Sequence, residues 1–521
     1  MKLLSIALFA AIFSAVNAAN ILYLSNVVSP SHFIWCKSIL SSLHARGHNI
    51  TALSPDVEES KENFTYHHLD KVYGSIYNGT TELNFFEMGQ KPVVELFMEF
   101  KDFFVNSGVA ALESKGYQDL LNYPTDFKFD LVVYDFTGSS ALLGLAHKFK
   151  NPPIVAVTPY LFSWKYTMLS GSPIFPAFLP TPDFSFSQQM SFKERTITTL
   201  VTLFEIAFET FYIAPTMNKL VHQIHPDAPH IDEIEKKSTK MIFVNSNPIT
   251  DYRAPTFPHV KLVGGVQIQK PKELTAELKS IADRAKNGLV LFSLGTNVRS
   301  DQLGEERILR IIKALGRLSK YTFLWKFETQ EKLPIELPKN IHIQPWIPQN
   351  SILAHQNTKL FISHCGLLST QEALWHAVPV LGFPVFADQP QNALRLKNLG
   401  VGETLLVNNF TEDELYETIK KLLEDSKYQK KVKAISAALR DQPMTALEEA
   451  TYWTEWVLRN PDIDMTSPTV NMSLIVRQSF DILVVFLIVI AYVFHIWIKL
   501  IKFVIKICSK KGKIDKIKKR N

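Results

Sequence analysis

Residues Phe361 to Gln391 read FISHCGLLSTQEALWHAVPVLGFPVFADQPQ. An apolar run ends at Ser363, a small-residue turn follows at His364-Cys365-Gly366, and a helical pattern then carries Ser369, Thr370 and Glu372. A second apolar run, Val378 to Leu381, returns to strand character before a loop that holds Asp388-Gln389. Strand, helix and strand at this spacing predict a parallel βαβ unit. Upstream, Leu289 to Ser293, Thr322 to Lys326 and Ile341 to Gln344 are further strand-like runs separated by helical patterns. From about Gly264 onward the chain therefore predicts a doubly wound parallel sheet.

A second α/β unit precedes it. An apolar strand at Ile21 to Leu24 leads through a Ser/Pro loop, Asn26 to Ser31, into a helix-like stretch from Phe33 to Arg46. Gly47 stops that helix, and Ile50 to Leu53 begins another strand. Phe129 to Tyr134 and Pro152 to Val157 are continuous buried strands with a helix between them, Ala141 to Phe149. Tyr160 to Val244 is long, aromatic and irregular; its Phe and Met residues fit an apolar pocket, a membrane contact or plain helical core. A Pro-containing stretch, Asp251 to Val263, reads as the linker. At 521 residues the chain is too long for one core, and it shows no internal repeat. A GxGxxG fingerprint is absent, which argues against a nicotinamide or flavin site.

The two ends lie outside both units. Residues 1–18 (MKLLSIALFAAIFSAVNA) have a basic start, an apolar run and a small-residue exit, the pattern of a secretory signal peptide. Ile482 to Ile498 carries no formal charge, which predicts a transmembrane helix near the short limit. Lys499 to Asn521 holds ten Lys/Arg and one Asp, so this tail contributes +9 to the formal charge of +6 and leaves −3 for residues 1–498. The basicity belongs to the tail, which excludes a nucleic-acid surface and, by the positive-inside bias, sets the tail in the cytosol and the rest in the lumen. Lys518-Lys519-Arg520-Asn521 matches a dilysine retrieval signal of the endoplasmic reticulum. Lumenal exposure makes Asn49, Asn63, Asn78, Asn409 and Asn471 candidate glycosylation sites. Of three cysteines, only Cys36 and Cys365 are placed for a lumenal bridge, so core burial holds the fold. The expected division is 1–18 signal peptide, 19–255 N-terminal domain, 256–460 C-terminal domain, 461–481 membrane-proximal stalk, 482–498 transmembrane helix and 499–521 basic tail.

The polar residues of the opening stretch suit a phosphorylated ligand. A helix N-terminus offers free N–H donors and a positive dipole end for a pyrophosphate, and His364 adds a donor. Gly366 lets backbone approach the phosphate. Glu372, two turns into the helix, is positioned for two ribose hydroxyls, and Asp388-Gln389 for sugar hydroxyls. Trp346-Ile347-Pro348-Gln349 follows another strand and supplies an aromatic face and an amide for a base. Each residue alone has a structural explanation, yet all fall at strand carboxyl ends, where ligands bind in open α/β sheets.

This stretch resembles the UDP-glycosyltransferase signature in its animal, insect-like form. The likeness continues through Ser31-His32, the turn Ser293-Leu294-Gly295-Thr296, Trp346 to Gln349, the C-terminal apolar helix and the basic tail. It implies a GT-B fold: two Rossmann-like doubly wound domains facing across a cleft, plus one C-terminal transmembrane helix. It implies inverting, metal-independent transfer of a hexose from a UDP-sugar to a hydroxyl of a small lipophilic acceptor, as in detoxification. UDP-glucose is favoured as donor over UDP-glucuronate, and no cofactor beyond the UDP-sugar co-substrate is implied. Trp346 would stack on uracil near Gln349; Gly295, Thr296, His364, Gly366, Leu368 and Ser369 would hold the diphosphate; Glu372 would grip ribose, and Asp388 and Gln389 the donor sugar. Cys365 departs from the second Gly usual in animal members.

The resemblance also implies His32 as catalytic base with Asp135 as its partner. The chemistry stands by itself: an acceptor hydroxyl is a poor nucleophile, and a neutral imidazole takes its proton while a carboxylate fixes the tautomer. His44, His48 and His147 read as structural. Asp462-Ile463-Asp464 matches a metal-binding DxD pair but falls beyond the last globular helix, and no metal is expected. A catalytically degenerate ligand-binding ectodomain and a hydrolase with paired carboxylates are the rival classes. The expected address is the endoplasmic-reticulum membrane, single-pass type I, with association into homo- or hetero-oligomers left open.

Overall fold

A computed structural model of the chain describes residues 18–76, Phe86 and residues 93–518; most of the leader, Asn78 and the last three residues lie outside the described residues. Seven parallel strands form the N-terminal sheet: β1 (Asn20–Leu24), β2 (Asn49–Ser54), β3 (Phe64–His68), β4 (Leu131–Asp135), β5 (Ile154–Thr158), β6 (Thr239–Val244) and β7 (Val260–Leu262), in the order β3-β2-β1-β4-β5-β6-β7. Six more form the C-terminal sheet: β8 (Leu289–Ser293), β9 (Thr322–Lys326), β10 (Ile341–Gln344), β11 (Thr358–Ser363), β12 (Val380–Gly382) and β13 (Gly402–Thr404), in the order β10-β9-β8-β11-β12-β13. Both are Rossmann-like and carry helices on their faces, which is why central strands such as LVVYD, IVAVT and LVLFS are buried along their whole length. Each fully buried Leu, Val or Ile, Leu22 and Leu291 among them, contributes about 1.5–3 kcal/mol.

Within the two sheet domains and the stalk, three boundaries differ from the sequence expectation. The N-terminal unit runs past 255, because β7 joins its sheet through Ile242↔Val260 and Val244↔Leu262. The helix Ala446–Arg459, expected in the C-terminal domain, packs on the N-terminal helix Pro30–Ala45: Thr451 Oγ1 donates to Ser42 Oγ at 2.8 Å, Arg46 pairs with Glu455 at 2.9 Å, and Ala450 and Val457 join the core of Ile21 and Trp35. The expected stalk is docked rather than free. Val470 is buried, and Arg477 donates to the carbonyls of Thr167 (2.8 Å) and Ser172 (3.2 Å). Periodicity reveals that a helix has an apolar face but not which sheet that face covers.

The segment 160–244 is largely helical: Trp164–Ser170, Phe192–Phe208, a π turn at Glu209–Ile213, Ala214–Ile224 and Ile231–Ser238. Pro215 has no N–H for the carbonyl of Phe211, and the wider π turn absorbs that missing bond. At the C-terminus a single helix, Phe480–Lys518, extends beyond the expected 482–498; its apolar part, Phe480–Ile507, is long enough to cross a membrane. Lys499, Lys502 and Lys506 interrupt the charge-free run without interrupting the helix, since Leu500, Ile501, Phe503, Val504 and Ile505 fill the positions between them.

Candidate active site

Adjacent strands β1 and β4 pair in parallel with Leu24 opposite Tyr134, so Asp135 ends its strand level with Ser25. Five residues after Ser25 the helix Pro30–Ala45 begins, and its first turn returns His32 over that strand end. His32 Nδ1 stands 3.5 Å from Asp135 Oδ2. The carboxylate also accepts from Ser25 Oγ (3.3 Å) and from the Thr137 N–H (3.0 Å), so it is held from three sides and fully buried. His32 keeps partial exposure toward the cleft.

Across the cleft, β8 and β11 end beside each other. Gly295 has a positive φ of 88°, and a Cβ there would come within 2.5 Å of the His364 ring; a Cβ on Gly366 would come within 2.4 Å. Both glycines are thus needed for the imidazole to lie between the two turns. Burial, aided by the Lys326 cation, holds His364 down at about 3, so the ring is neutral. Its Nδ1 is buried without a partner, a vacancy in hydrogen bonding that a phosphate oxygen fits. The helix Leu367–Trp375 starts at Gly366 and directs its free N–H groups into the same space.

Trp346 is 61 % exposed, so it is no core residue; its indole stands open, with Lys326 Nζ 6.0 Å from the ring centroid. Gln349 Nε2 donates to Glu372 Oε2 (2.7 Å) and to Ser369 Oγ (3.0 Å), tying three predicted residues into one unit. Burial raises Glu372 to about 7, and the Gln349 amide opposes that rise. Asp388 is raised to about 6 by burial, against the donation from Asn392 at 2.8 Å. Gln389 spends its carbonyl on the N–H groups of Val385 and Phe386, leaving its amide end for a ligand. Thr296 follows Gly295 in the turn and is half-buried. Leu368 turns its side chain onto the N-terminal core instead, so any contact it makes with a donor is through backbone.

Cys365 occupies a left-handed position, φ 64°, which explains why glycine suits it. Its thiol is buried and unbridged, as is that of Cys36, and burial pushes the Cys365 pKa up, away from reactivity. His44, His48 and His147 bond to Glu62, to the Ala19 N–H and to Asp227, away from the cleft. Asp464 accepts from the Thr466 N–H and sits near His259, and among the described residues no three metal-ligating side chains gather. Of the sequons, Asn63, Asn409 and Asn471 are exposed, whereas Asn49 lies in β2 with its amide bonded to Asn20.

Sequence reasoning missed the bonds that close the cleft. Asn297 Nδ2 donates to Ser29 Oγ (3.2 Å), Gln371 to Asn245 (2.9 Å), Gln391 to the Thr181 carbonyl (2.9 Å) and Arg395 to Asp251 (2.6 Å). Gln391 and Arg395 follow Asp388-Gln389 on one helix, and their long polar side chains at intended core positions were the available signal.

The model of the family described as UDP-glucoronosyl and UDP-glucosyl transferase matches residues 21–515. Among curated proteins, UDP-glucosyltransferase 2 of Dactylopius coccus is 31 % identical over 88 % of this chain and 88 % of its own. The 2-hydroxyacylsphingosine 1-beta-galactosyltransferase of Rattus norvegicus is 29 % identical over 87 % and 83 %, and UDP-glucuronosyltransferase 1A6 of Oryctolagus cuniculus 26 % over 94 % and 92 %. Among solved structures, Os79 from O. sativa in complex with UDP superimposes with a TM-score of 0.53 at 15 % identity, covering 84 % of this chain and all of that one. The calicheamicin glycosyltransferase CalG4 gives 0.51 at 18 % identity over 85 % and 99 %. These neighbours share the GT-B architecture of two facing parallel-sheet domains.

Proposed function

The chain belongs to the UDP-glucosyl and UDP-glucuronosyl transferase family and is a UDP-glycosyltransferase; from that premise we propose that it transfers glucose from UDP-glucose to a hydroxyl of a small lipophilic acceptor, with inversion and without a metal. The observation that carries this reading is the pairing of His32 with Asp135 at the N-terminal strand ends, with the C-terminal unit bonded to the start of the same helix through Asn297 and Ser29 and presenting an open indole and a helix N-terminus. In this scheme His32 takes the acceptor proton as the hydroxyl oxygen bonds the anomeric carbon. The bond from that carbon to the diphosphate oxygen breaks, and UDP departs with the electron pair. Attack from the face opposite UDP inverts the centre. Asp135 steadies the imidazolium, while His364 and the helix N-terminus disperse charge on the diphosphate. These hydrogen-bond donors and the helix dipole do what a cation would otherwise do.

Uracil would stack on Trp346, ribose would bond Glu372, and the sugar Asp388 and Gln389. The insect glucosyltransferase likeness supports glucose; the galactosyl and glucuronosyl relatives lie at comparable identities. A binding-only ectodomain is not favoured, since His32 and Asp135 are both present and adjacent. The apolar helix supports a membrane anchor, the Lys-rich tail after it supports a type I orientation with the catalytic domains lumenal, and Lys518-Lys519 supports an endoplasmic-reticulum address. Competition among UDP-glucose, UDP-galactose and UDP-glucuronate, read on a panel of phenols and steroids, tests donor and acceptor together. A preference for UDP-glucuronate would reverse the donor assignment.

A further inference from the structure

Ser29 is the N-cap of the helix Pro30–Ala45, in extended backbone, with Pro30 at the first helical position and His32 at the third. An N-cap serine ordinarily turns its hydroxyl onto the N–H of the second or third helical residue. Ser29 makes no such bond. Its Oγ lies 3.0 Å from Ser31 Oγ and accepts from Asn297 Nδ2 at 3.2 Å, and Asn297 belongs to the opposite unit. The helix that carries His32 therefore gives up its own cap for a bond across the cleft. Local rules of this kind are broken chiefly at functional or strained sites.

The loop that ends at Ser29 is held at its two ends by different units. Its start is fixed within the N-terminal unit: the Ser25 N–H bonds the Leu53 carbonyl (3.1 Å), and the buried Asn26 amide clasps Ser139, accepting from its N–H (3.0 Å) and donating to its carbonyl (3.2 Å). A Cβ on Gly138 would come within 2.1 Å of Asn26 Oδ1, so this clasp has no slack. The far end is fixed by Asn297. That residue follows Gly295-Thr296, the turn that lies against His364, and precedes Val298, which is fully buried in the C-terminal core. Of the four cross-cleft bonds described above, this one ends on the helix of His32; the other three reach Asn245, Thr181 and Asp251.

We propose that Asn297 is a positioning residue that, through Ser29, sets the first turn of the His32 helix from the Gly295-Thr296 turn of the opposite unit. The proposal rests on the reading of His32 as the base and of that turn as part of the diphosphate site. A donor that orders the turn then also orders the base, so the two halves of the reaction are aligned by one bond. Asn297 moves no proton itself. Its effect is on the aim of the imidazole, where a misplacement of about 1 Å costs on the order of 10² in rate.

The test is a rate cycle on the full chain: Asn297→Ala, Ser29→Ala, the double variant, and Asn297→Ala in a His32→Ala background, each checked by thermal unfolding. Transfer from radiolabelled UDP-glucose to a phenolic acceptor and calorimetric UDP affinity are read on every protein. Each single variant should lower kcat by about 10–10², with UDP affinity within roughly twofold of the parent. The double variant should be no slower than either single one, and Asn297→Ala should add no loss once His32 is gone. Ser29→Ala reads the same bond from its other end, so the outcome does not hang on one variant folding. A weaker UDP affinity in Asn297→Ala with parental kcat in Ser29→Ala makes Asn297 a donor ligand and overturns the proposal. Losses that multiply in the double variant, or that persist without His32, overturn it as well. Parental kcat in both single variants beside a crippled His32→Ala overturns it and leaves the base in place. Near-parental transfer by His32→Ala removes the base, and the proposal with it.

Discussion

Asp135 Oδ2 lies 3.5 Å from His32 Nδ1, the long end of hydrogen-bonding distance and the looseness that general-base pairs show before substrate binds. In the proposed mechanism Asp135 is a positioning residue, reaching the acceptor only through the imidazole. Asp135→Asn keeps the shape but loses the charge that stabilises the imidazolium. Turnover should fall by about 10²–10⁴ with little change in the Michaelis constant for UDP-sugar. Near-parental turnover in a folded Asp135→Asn protein would remove the carboxylate from this role.

Trp346 is exposed, so Trp346→Ala should fold, and its loss reads out as nucleotide binding alone. Removing a stacking face costs about 1–3 kcal/mol by analogy with base–aromatic stacking, and roughly tenfold in affinity per 1.4 kcal/mol. Calorimetric titration with UDP should show that loss, while the acceptor constant stays put.

Glu372 supplies a pH dependence with a definite sign. Burial raises it to about 7, so below that value the UDP-free protein holds it protonated. In the proposed donor site ribose hydroxyls donate to the ionised form, so UDP affinity should climb from pH 6 to 8 and binding should release a proton at pH 6.5, on the order of the titration expected for one group. The stability side runs the other way: because the folded state binds this proton more tightly, stability attributable to Glu372 declines as pH rises from about 4.5 to about 7. Titrations in two buffers of different ionisation enthalpy, repeated on Glu372→Gln, check both; a slope surviving in the variant contradicts the assignment.

Cys365 and Gly382 should be energetically coupled. A Cβ on Gly382 would sit 2.5 Å from Cys365 Sγ, so Gly382→Ala alone should destabilise by about 1–3 kcal/mol through overpacking. Cys365→Gly suits φ 64° and removes the sulfur, and the double variant should recover much of that loss. Thermal unfolding of the four proteins measures it; additive losses would contradict the coupling.

Much of this was legible in the sequence because short apolar runs and small-residue turns are local signals. The strand ending at Ser363, the turn at Gly366 and the residues His364 and Glu372 sit within one βαβ unit, where spacing alone dictates neighbourhood. The pairing of His32 with Asp135 is a different matter: their proximity depends on β1 lying next to β4, a strand order that chemistry and family likeness pointed to and periodicity did not. Least legible were the docking of Ala446–Arg459 and Val470 onto the N-terminal unit and the outward Phe stripe of Phe192–Phe208. Each depends on which surface meets which, information carried by tertiary packing.

The sequons give a topological prediction. In a lumenal N-terminal unit Asn63, Asn409 and Asn471 should accept glycans, whereas Asn49 should not, its amide being tied to Asn20 within β2. Glycan mapping of protein from microsomes, with protease protection of residues 19–480, reads this directly. Unmodified, protease-sensitive Asn63 would place the domains on the cytosolic side. Replacing Lys518 and Lys519 should let protein leave the endoplasmic reticulum; unchanged retention would show that another signal holds it.

The most direct test of hexose transfer by a cleft base is a single pair of measurements on His32→Ala: sugar transfer from radiolabelled UDP-glucose to a phenolic acceptor, and calorimetric UDP affinity in the same preparation. Transfer should fall by about 10²–10⁴ while UDP affinity stays within roughly twofold of the parent, because the proposed mechanism gives His32 the acceptor and leaves the nucleotide to groups on the opposite sheet. Near-parental transfer by a folded His32→Ala protein that still binds UDP would contradict the account.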